Sequence, residues 1–390
     1  MTPGGRVAAA IEILDQVLTG EPAEKVLTNW ARRSRFAGSG DRAAIRDLVF
    51  DALRCRRSFA ALGGGETGRG LILGGIRAAG DDPAAVFTGE GHAPAPLDPV
   101  EAALSVQYDD LPEPVALDCP DWLADDLRAS LGADFAAVMQ ALRHRAPVWL
   151  RVNLLKATRD AARDALTEDG IETEAHPDCA TALRVLTHPR RVQNSAAYST
   201  GLVELQDLSS QRVSTFIAPR KDQKILDYCA GGGGKSLALA AQTGGPVFAH
   251  DAAPERLRDL PVRAGRAGAD IRCLSGAQAS AQAPFDLVLC DVPCSGSGAW
   301  RRSPDGKWRF SAADLDRLRA TQRAILAQAA TLVAPGGCLA YATCSFLRAE
   351  NEDQIADFTA AHPGWTMQRD LRLSPLQGGD GFYAALLLRA

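Results

Sequence analysis

The stretch LDYCAGGGGKSLALAA, residues 226–241, places four glycines and a lysine between a short apolar run and a helical one. A strand, a glycine turn and a helix in that order commonly hold a ligand. The phosphate-cradling pattern G-x-x-x-x-G-K-[ST] ends well in Gly234-Lys235-Ser236, but its first glycine falls on Cys229. A dinucleotide fingerprint G-x-G-x-x-G begun at Gly231 needs glycine where Ser236 stands. Neither pattern closes. Asp251 follows Gly231 by 20 residues, at the end of the next apolar run, where an acid commonly takes ribose hydroxyls. The residues therefore point to a nucleoside-bearing ligand that needs close backbone approach and little phosphate cradling, which makes S-adenosylmethionine the candidate.

Around this turn, from residue 201 onward, strands and helices alternate. KILDYCA, PVFAHD, IRCLSG, FDLVLCD and CLAYATCS are short apolar runs, and WTMQRDL and FYAALLLR close the chain. Such alternation predicts an α/β fold with a mostly parallel, doubly wound sheet, whose ligands bind beyond the carboxyl ends of the strands. Ahead of it, VWLRV, the helical TRDAARDALTEDG, IETEAH and ALRVL read as a small α+β domain. Residues 5–60 show helical apolar spacing, with Val7, Ile11, Leu14, Val17 and Leu18 on one stripe and Ser39 a candidate cap. The Gly-, Pro- and acid-rich segment from Gly65 reads as a loose tail. The expected domains are 1–75, helical; 76–118, an acidic linker or tail; 119–200, small α+β; and 201–390, the doubly wound domain.

A hydrophobic content of 46% with 23% charged residues describes a globular chain with real cores, and no apolar run reaches bilayer-spanning length. Nine cysteines without knuckle or redox spacing read as cytosolic thiols, and no metal is expected. The net charge of −4 is unevenly spread. Residues 71–140 carry 13 acidic against 2 basic side chains, while 1–70 carry 8 against 11. An RNA partner is thus compatible with the mildly basic remainder.

Two cysteines stand apart. Cys294 in DVPCSGSGAWRRSPDGKWRF and Cys344 in YATCSFLRAENE each follow a strand end, whereas Cys229, Cys290 and Cys338 lie in or beside apolar strand stretches. These two segments and CAGGGGKS resemble the signatures of the RNA 5-methylcytosine methyltransferases, of the bacterial ribosomal RNA small-subunit type. GLVELQDLSSQ resembles the entry to that family's catalytic domain and LRVN its RNA-side domain. RVAAAIEIL and GDRAAIRDLVFDALR are similar to a NusB-like helical domain, which implies RNA or partner binding by residues 1–75 and RNA recognition by residues 119–200.

The resemblance implies a Rossmann-like class I methyltransferase domain that methylates carbon 5 of cytosine in RNA, ribosomal RNA foremost. Cys344 would be the nucleophile, and Cys294 would assist release of the methylated base. Asp291 would contact base or cofactor, with a protonated carboxyl steadying ring nitrogen 3, and Lys235 would favour the thiolate. S-adenosylmethionine would lie against Cys229, Ala230, Gly231, Gly232, Gly233, Gly234, Lys235, Asp251 and Asp291. Gly232 replaces the family's usual proline, and Ala277 stands about where an adenine-side aspartate is expected. Arg301, Arg302, Lys307, Trp308, Arg309 and Arg151 are the expected RNA contacts, with Arg143, Arg145, Arg190 and Arg191 ranked behind them. The expectation is a cytoplasmic monomer acting on RNA, with a pre-ribosomal subunit as a further partner. The rivals are a non-catalytic RNA-binding or ribosome-assembly factor on the same fold and an NAD-linked dehydrogenase.

Overall fold

The computed structural model describes residues 1–390 as two compact units, one formed by 1–145 with 300–310, the other by 146–299 with 311–390. The first is helical. It contains α1 (Pro3–Leu18), α2 (Ala23–Arg33), α3 (Ser39–Arg54), α4 (Arg56–Gly63) and α5 (Gly68–Ala78), with short helices at 124–131 and 135–142. The cap of α3 is Gly38, one residue before the expected Ser39, and its amide is held by Asp41.

The loose tail expected from Gly65 is instead the helix α5. Its four glycines each cost about 1 kcal/mol of helix propensity. Leu71, Ile72 and Leu73 are all essentially buried, and each buried side chain of this size contributes about 1.5–3 kcal/mol. Burial therefore wins, and the glycines are what permit it. A Cβ on Gly74 would sit 1.9 Å from the Phe59 carbonyl oxygen, so α5 packs backbone to backbone on α4.

In the second unit, β1 (Trp149–Val152), β2 (Thr173–Ala175), β3 (Ala182–Val185) and β4 (Val203–Leu205) form an antiparallel sheet in the order β2-β3-β1-β4. The helix Arg159–Glu168 covers it through Ala162 and Leu166. A seven-stranded sheet follows, of β5 (Ile225–Asp227), β6 (Val247–His250), β7 (Ile271–Leu274), β8 (Phe285–Asp291), β9 (Val333–Thr343), β10 (Trp365–Leu373) and β11 (Phe382–Arg389). Its order is β10-β11-β9-β8-β5-β6-β7, parallel except where β11 pairs with β9 and β10. All seven expected strands are present.

Alternation explains why this sheet is covered on both faces. Leu287 and Leu289 pack into one core with Val213, Ile217 and Leu239, while Val288 and Cys290 pack into the other with Leu326, Ile355 and Phe358. A strand buried on both sides reads as a continuous apolar run, as FDLVLCD does. Strand order reverses between β5 and β8, which opens a crevice at their carboxyl ends.

Candidate active site

Four strand ends converge at that crevice. β5 ends at Asp227, β6 runs into Asp251, β8 ends at Asp291 and β9 at Thr343. Register keeps them level, since Asp227 pairs with Leu289 and Asp291 with Ala342.

The turn after β5 uses glycine where only glycine fits. Gly231 and Gly233 have φ of 51° and 78°, the left-handed region. Gly233 also meets Leu260, whose Cδ1 would lie 2.1 Å from an added Cβ. Asp251 organises the turn, accepting from the amides of Gly231 at 2.8 Å and Ala253 at 2.9 Å, with Arg256 at 3.2 Å. Arg263 donates to the Gly232 carbonyl and, at 3.0 Å, to Glu204. Glu204 is buried in β4 and also accepts from Arg266. The sequence reading missed this clamp, because its members are 59 and 62 residues apart.

The residues fit a nucleoside-bearing cofactor. A carboxylate has about four acceptor sites, and Asp251 uses two on backbone amides, leaving room for hydroxyls once the exposed Arg256 shifts. Gly232 is exposed, and the half-buried Cys229, Ala230 and Gly234 flank it. Burial pushes the Cys229 thiol far up, so it serves as backbone and packing. Ala277 lies exposed in the first turn of Gly276–Gln282, beside Gln278, whose side chain caps Ser275.

Lys235, in the first turn of the helix Gly234–Thr243, reaches Asp291 Oδ2 at 2.7 Å. Burial works against its cation, but Asp291, Cys344 and Asp227 outweigh that and hold Lys235 above the usual lysine range. Asp291 Oδ2 is thus engaged by the Lys235 ammonium. Beneath them lies Asp227, which the sequence reading took only as a strand end. It accepts from Ser236 Oγ at 2.7 Å, and its second oxygen has no partner. Burial pushes its carboxyl up to about 7.

The two turn cysteines meet, with Cys294 Sγ and Cys344 Sγ 3.5 Å apart. The hydrogen bond to Cys344, then burial and the nearby Cys344 and Glu350, push the Cys294 thiol well up toward its protonated form. Both turns are tied to one buried carboxylate. Glu350 accepts from Ser295 N at 2.8 Å and Gln322 Nε2 at 3.0 Å, and from the hydroxyls of Ser295 and Ser345 at 2.5 Å. Asn351 accepts from Thr343 Oγ1 at 2.6 Å and donates to the Ser345 carbonyl at 2.9 Å. The acidic ENE after Cys344 was the sequence signal for this brace, read only as part of a signature.

The expected RNA contacts divide. Within the helical unit, WRRSPDGKWRF folds as a short helix, Pro304–Arg309, whose inner side carries Lys307. Lys307 is 2% exposed and donates to the carbonyls of Arg54 at 3.2 Å and Asp118 at 2.8 Å. Burial pulls it down to about 8. Arg301 is buried, its carbonyl accepting from Arg54 at 2.7 Å, and Trp308 Nε1 donates to the Leu53 carbonyl at 2.6 Å. Arg151 is buried in β1 and pulled down to about 10 by that burial. Lys307, Arg301 and Arg151 are therefore structural, contrary to expectation. Helical spacing turns Lys307 inward and an interior strand position turns Arg151 inward, and a count of basic residues cannot show that. Arg302 and Arg309 remain exposed, Arg309 at 3.7 Å from Asp305.

Comparison with known proteins adds the following. Residues 214–388 match the 16S rRNA methyltransferase RsmB/F domain, and residues 119–193 match the ferredoxin-like domain of RsmF/B-like methyltransferases. The chain is 36% identical over 284 residues to the ribosomal RNA small subunit methyltransferase B of Erwinia tasmaniensis, covering 69% of this chain and 66% of that protein. Against the protein of the same name from Sodalis glossinidius identity is 35%, covering 69% and 65%. The match thus spans just under two thirds of these relatives' lengths. Among solved structures, that of PH0851 superposes over 99% of both chains with a TM-score of 0.78 at 22% identity. A methyltransferase homolog protein from Pyrococcus horikoshii covers 73% of this chain, with a TM-score of 0.63 at 22% identity. These superpositions show the Rossmann-like methyltransferase fold.

Proposed function

Because the chain belongs to the 16S rRNA methyltransferase RsmB/F family, we propose that it methylates carbon 5 of a cytosine in ribosomal RNA through a cysteine adduct. The observation that carries this reading is the approach of Cys294 and Cys344 to 3.5 Å, at adjacent strand ends that also hold the Lys235–Asp291 pair.

Cytosine carbon 5 is a weak nucleophile. Addition of the Cys344 thiolate to carbon 6 turns the ring into an enamine whose carbon 5 can attack an electrophile. S-Adenosylmethionine, when bound by Gly231–Gly234, Asp251 and Asp291, supplies an electrophilic methyl group. The Lys235 cation favours the attacking thiolate, and Asp291 holds that cation in place. Elimination then passes the proton on carbon 5 to a water molecule and breaks the bond between Cys344 and carbon 6, the electron pair leaving on the Cys344 sulfur. Cys294, kept as a thiol, donates to the departing Cys344 sulfur and eases its release.

A base stacked in a helix cannot meet these groups together, so the target is single-stranded or flipped out. No helix is long and apolar enough to cross a membrane, and a cytoplasmic site of action on RNA or a pre-ribosomal subunit fits the reading. The test is methyl transfer from labelled S-adenosylmethionine to total RNA of cells lacking the protein, followed by bisulfite mapping. One new 5-methylcytidine in small-subunit ribosomal RNA is the expected result. Transfer to another base, or none to RNA or isolated subunits, would overturn it.

A further inference from the structure

Lys235 has a second neighbour that the catalytic scheme does not use. Its Nζ lies over the Phe382 ring, 4.9 Å from the ring centre. Phe382 opens β11 and is buried. Tyr383 pairs with Thr343, and the same register carried one residue further sets Phe382 level with Cys344.

Backbone bonds hold Phe382 at that level. Gly381 N donates to the Gly298 carbonyl at 2.9 Å, and Gly298 N donates to the Cys344 carbonyl at 2.9 Å. A Cβ on Gly381 would lie 2.1 Å from the Phe346 ring, so the turn entering β11 has no room to shift.

The Lys235 side chain is 7% exposed and carries three N–H donors, one of which Asp291 engages. A second carboxylate beside it would anchor the ammonium but offset its field at Cys344. A ring face attracts a cation through its quadrupole and carries no net charge. Phe382 therefore suits a buried cation that must stay effective toward a neighbouring sulfur.

We propose that Phe382 is a positioning residue for the reaction, its ring face holding the Lys235 ammonium where it favours the Cys344 thiolate. The proposal deepens the reading of the site as a cysteine-dependent methyltransferase, and its catalytic part rests on that reading.

The test replaces Phe382 in the full chain with phenylalanine carrying one, two and three ring fluorines. These drain charge from the ring face stepwise and nearly keep its shape. Phe382→Leu, which removes the face, completes the series. Two rates are read. The first is alkylation of Cys344 by iodoacetamide, mapped by mass spectrometry, which needs the thiolate but no RNA. The second is methyl transfer from labelled S-adenosylmethionine to total RNA of cells lacking the protein. Both are expected to fall with each added fluorine. The loss should reach about 10- to 30-fold in Phe382→Leu, the scale of one desolvated cation–ring contact. In a Lys235→Met background the same substitutions are expected to leave the alkylation rate unchanged.

Rates independent of fluorine content, or the same decline in the Lys235→Met background, would overturn the proposal and leave Phe382 as core packing alone. Alkylation that follows the series in a protein that transfers no methyl group to RNA would uphold the pairing of Phe382 with Lys235 and sink the catalytic reading.

Discussion

Lys235 Nζ lies 2.7 Å from Asp291 Oδ2, joining the helix that follows the glycine turn to the end of β8. The pair draws together two segments 56 residues apart in the chain and places a buried cation within electrostatic reach of Cys344. Replacing Lys235 with Met keeps the volume and removes the charge. Methyl transfer should fall by roughly 10²- to 10³-fold, the scale for one preorganised electrostatic group. S-Adenosylmethionine affinity, read by calorimetry, should change far less. A parallel loss in both would recast Lys235 as a cofactor-binding residue.

Glu350 fixes the cysteine turns without touching either sulfur. Glu350→Gln keeps the shape but replaces one acceptor oxygen with an amide donor. Hydrogen bonds to a charged group are worth about 1.5–3 kcal/mol each, so the melting temperature should drop by several degrees. Turnover should fall by at least about 10-fold, with little change in cofactor affinity. Unaltered turnover in a folded variant would mean that the two turns hold their positions unaided.

The four-glycine turn is restrained from outside by Arg263, which Glu204 aligns. Fixing one residue's backbone costs about 1–2 kcal/mol, so an unclamped turn loses part of its preorganisation. Arg263→Ala should weaken S-adenosylmethionine binding by roughly 10-fold. Glu204→Gln should weaken it less, and the double variant should match Arg263→Ala alone. Fully additive losses would show that the two residues act independently.

Asp227 gives a pH signature. Its carboxyl, raised from 3.8 to about 7, binds a proton in the folded protein over a range where the unfolded chain has released it. Stability from this group is complete below pH 3.8 and is lost as pH rises through about 7. Asp227→Asn retains an acceptor for Ser236 and cannot ionise. The variant's stability relative to wild type should therefore increase between pH 4 and 8 by a few kcal/mol at most, read from urea midpoints. A constant difference across that range would mean that Asp227 ionises in the fold without cost.

Much of the site was legible because its residues sit at strand ends. The glycine turn, Asp251, Asp291, Cys294 and Cys344 each close an apolar run, and parallel topology brings such ends to one edge. What escaped was long-range or internal. Glu204 meets Arg263 only because β4 runs close to the helix Leu260–Ala267. The role of Asp227 depends on complete burial, and nothing local in LDYCA distinguishes it from an exposed strand-end acid. The basic-aromatic run after Cys294 suggested RNA contacts residue by residue, yet one turn of helix buries Lys307 against two backbone carbonyls. In α5, glycine frequency pointed to a loose segment, whereas the glycines serve the close approach of two helices.

The central claim is that Cys344 forms the bond to the base and that Cys294 is needed to break it. The most direct measurement incubates the Cys294→Ala protein with its RNA substrate and S-adenosylmethionine, then maps the attachment site in any denaturation-resistant protein–RNA complex by mass spectrometry. The account predicts an accumulating adduct linked through Cys344, and none from Cys294→Ala/Cys344→Ala. An adduct linked through another residue, or methyl transfer surviving in Cys344→Ala, would contradict it.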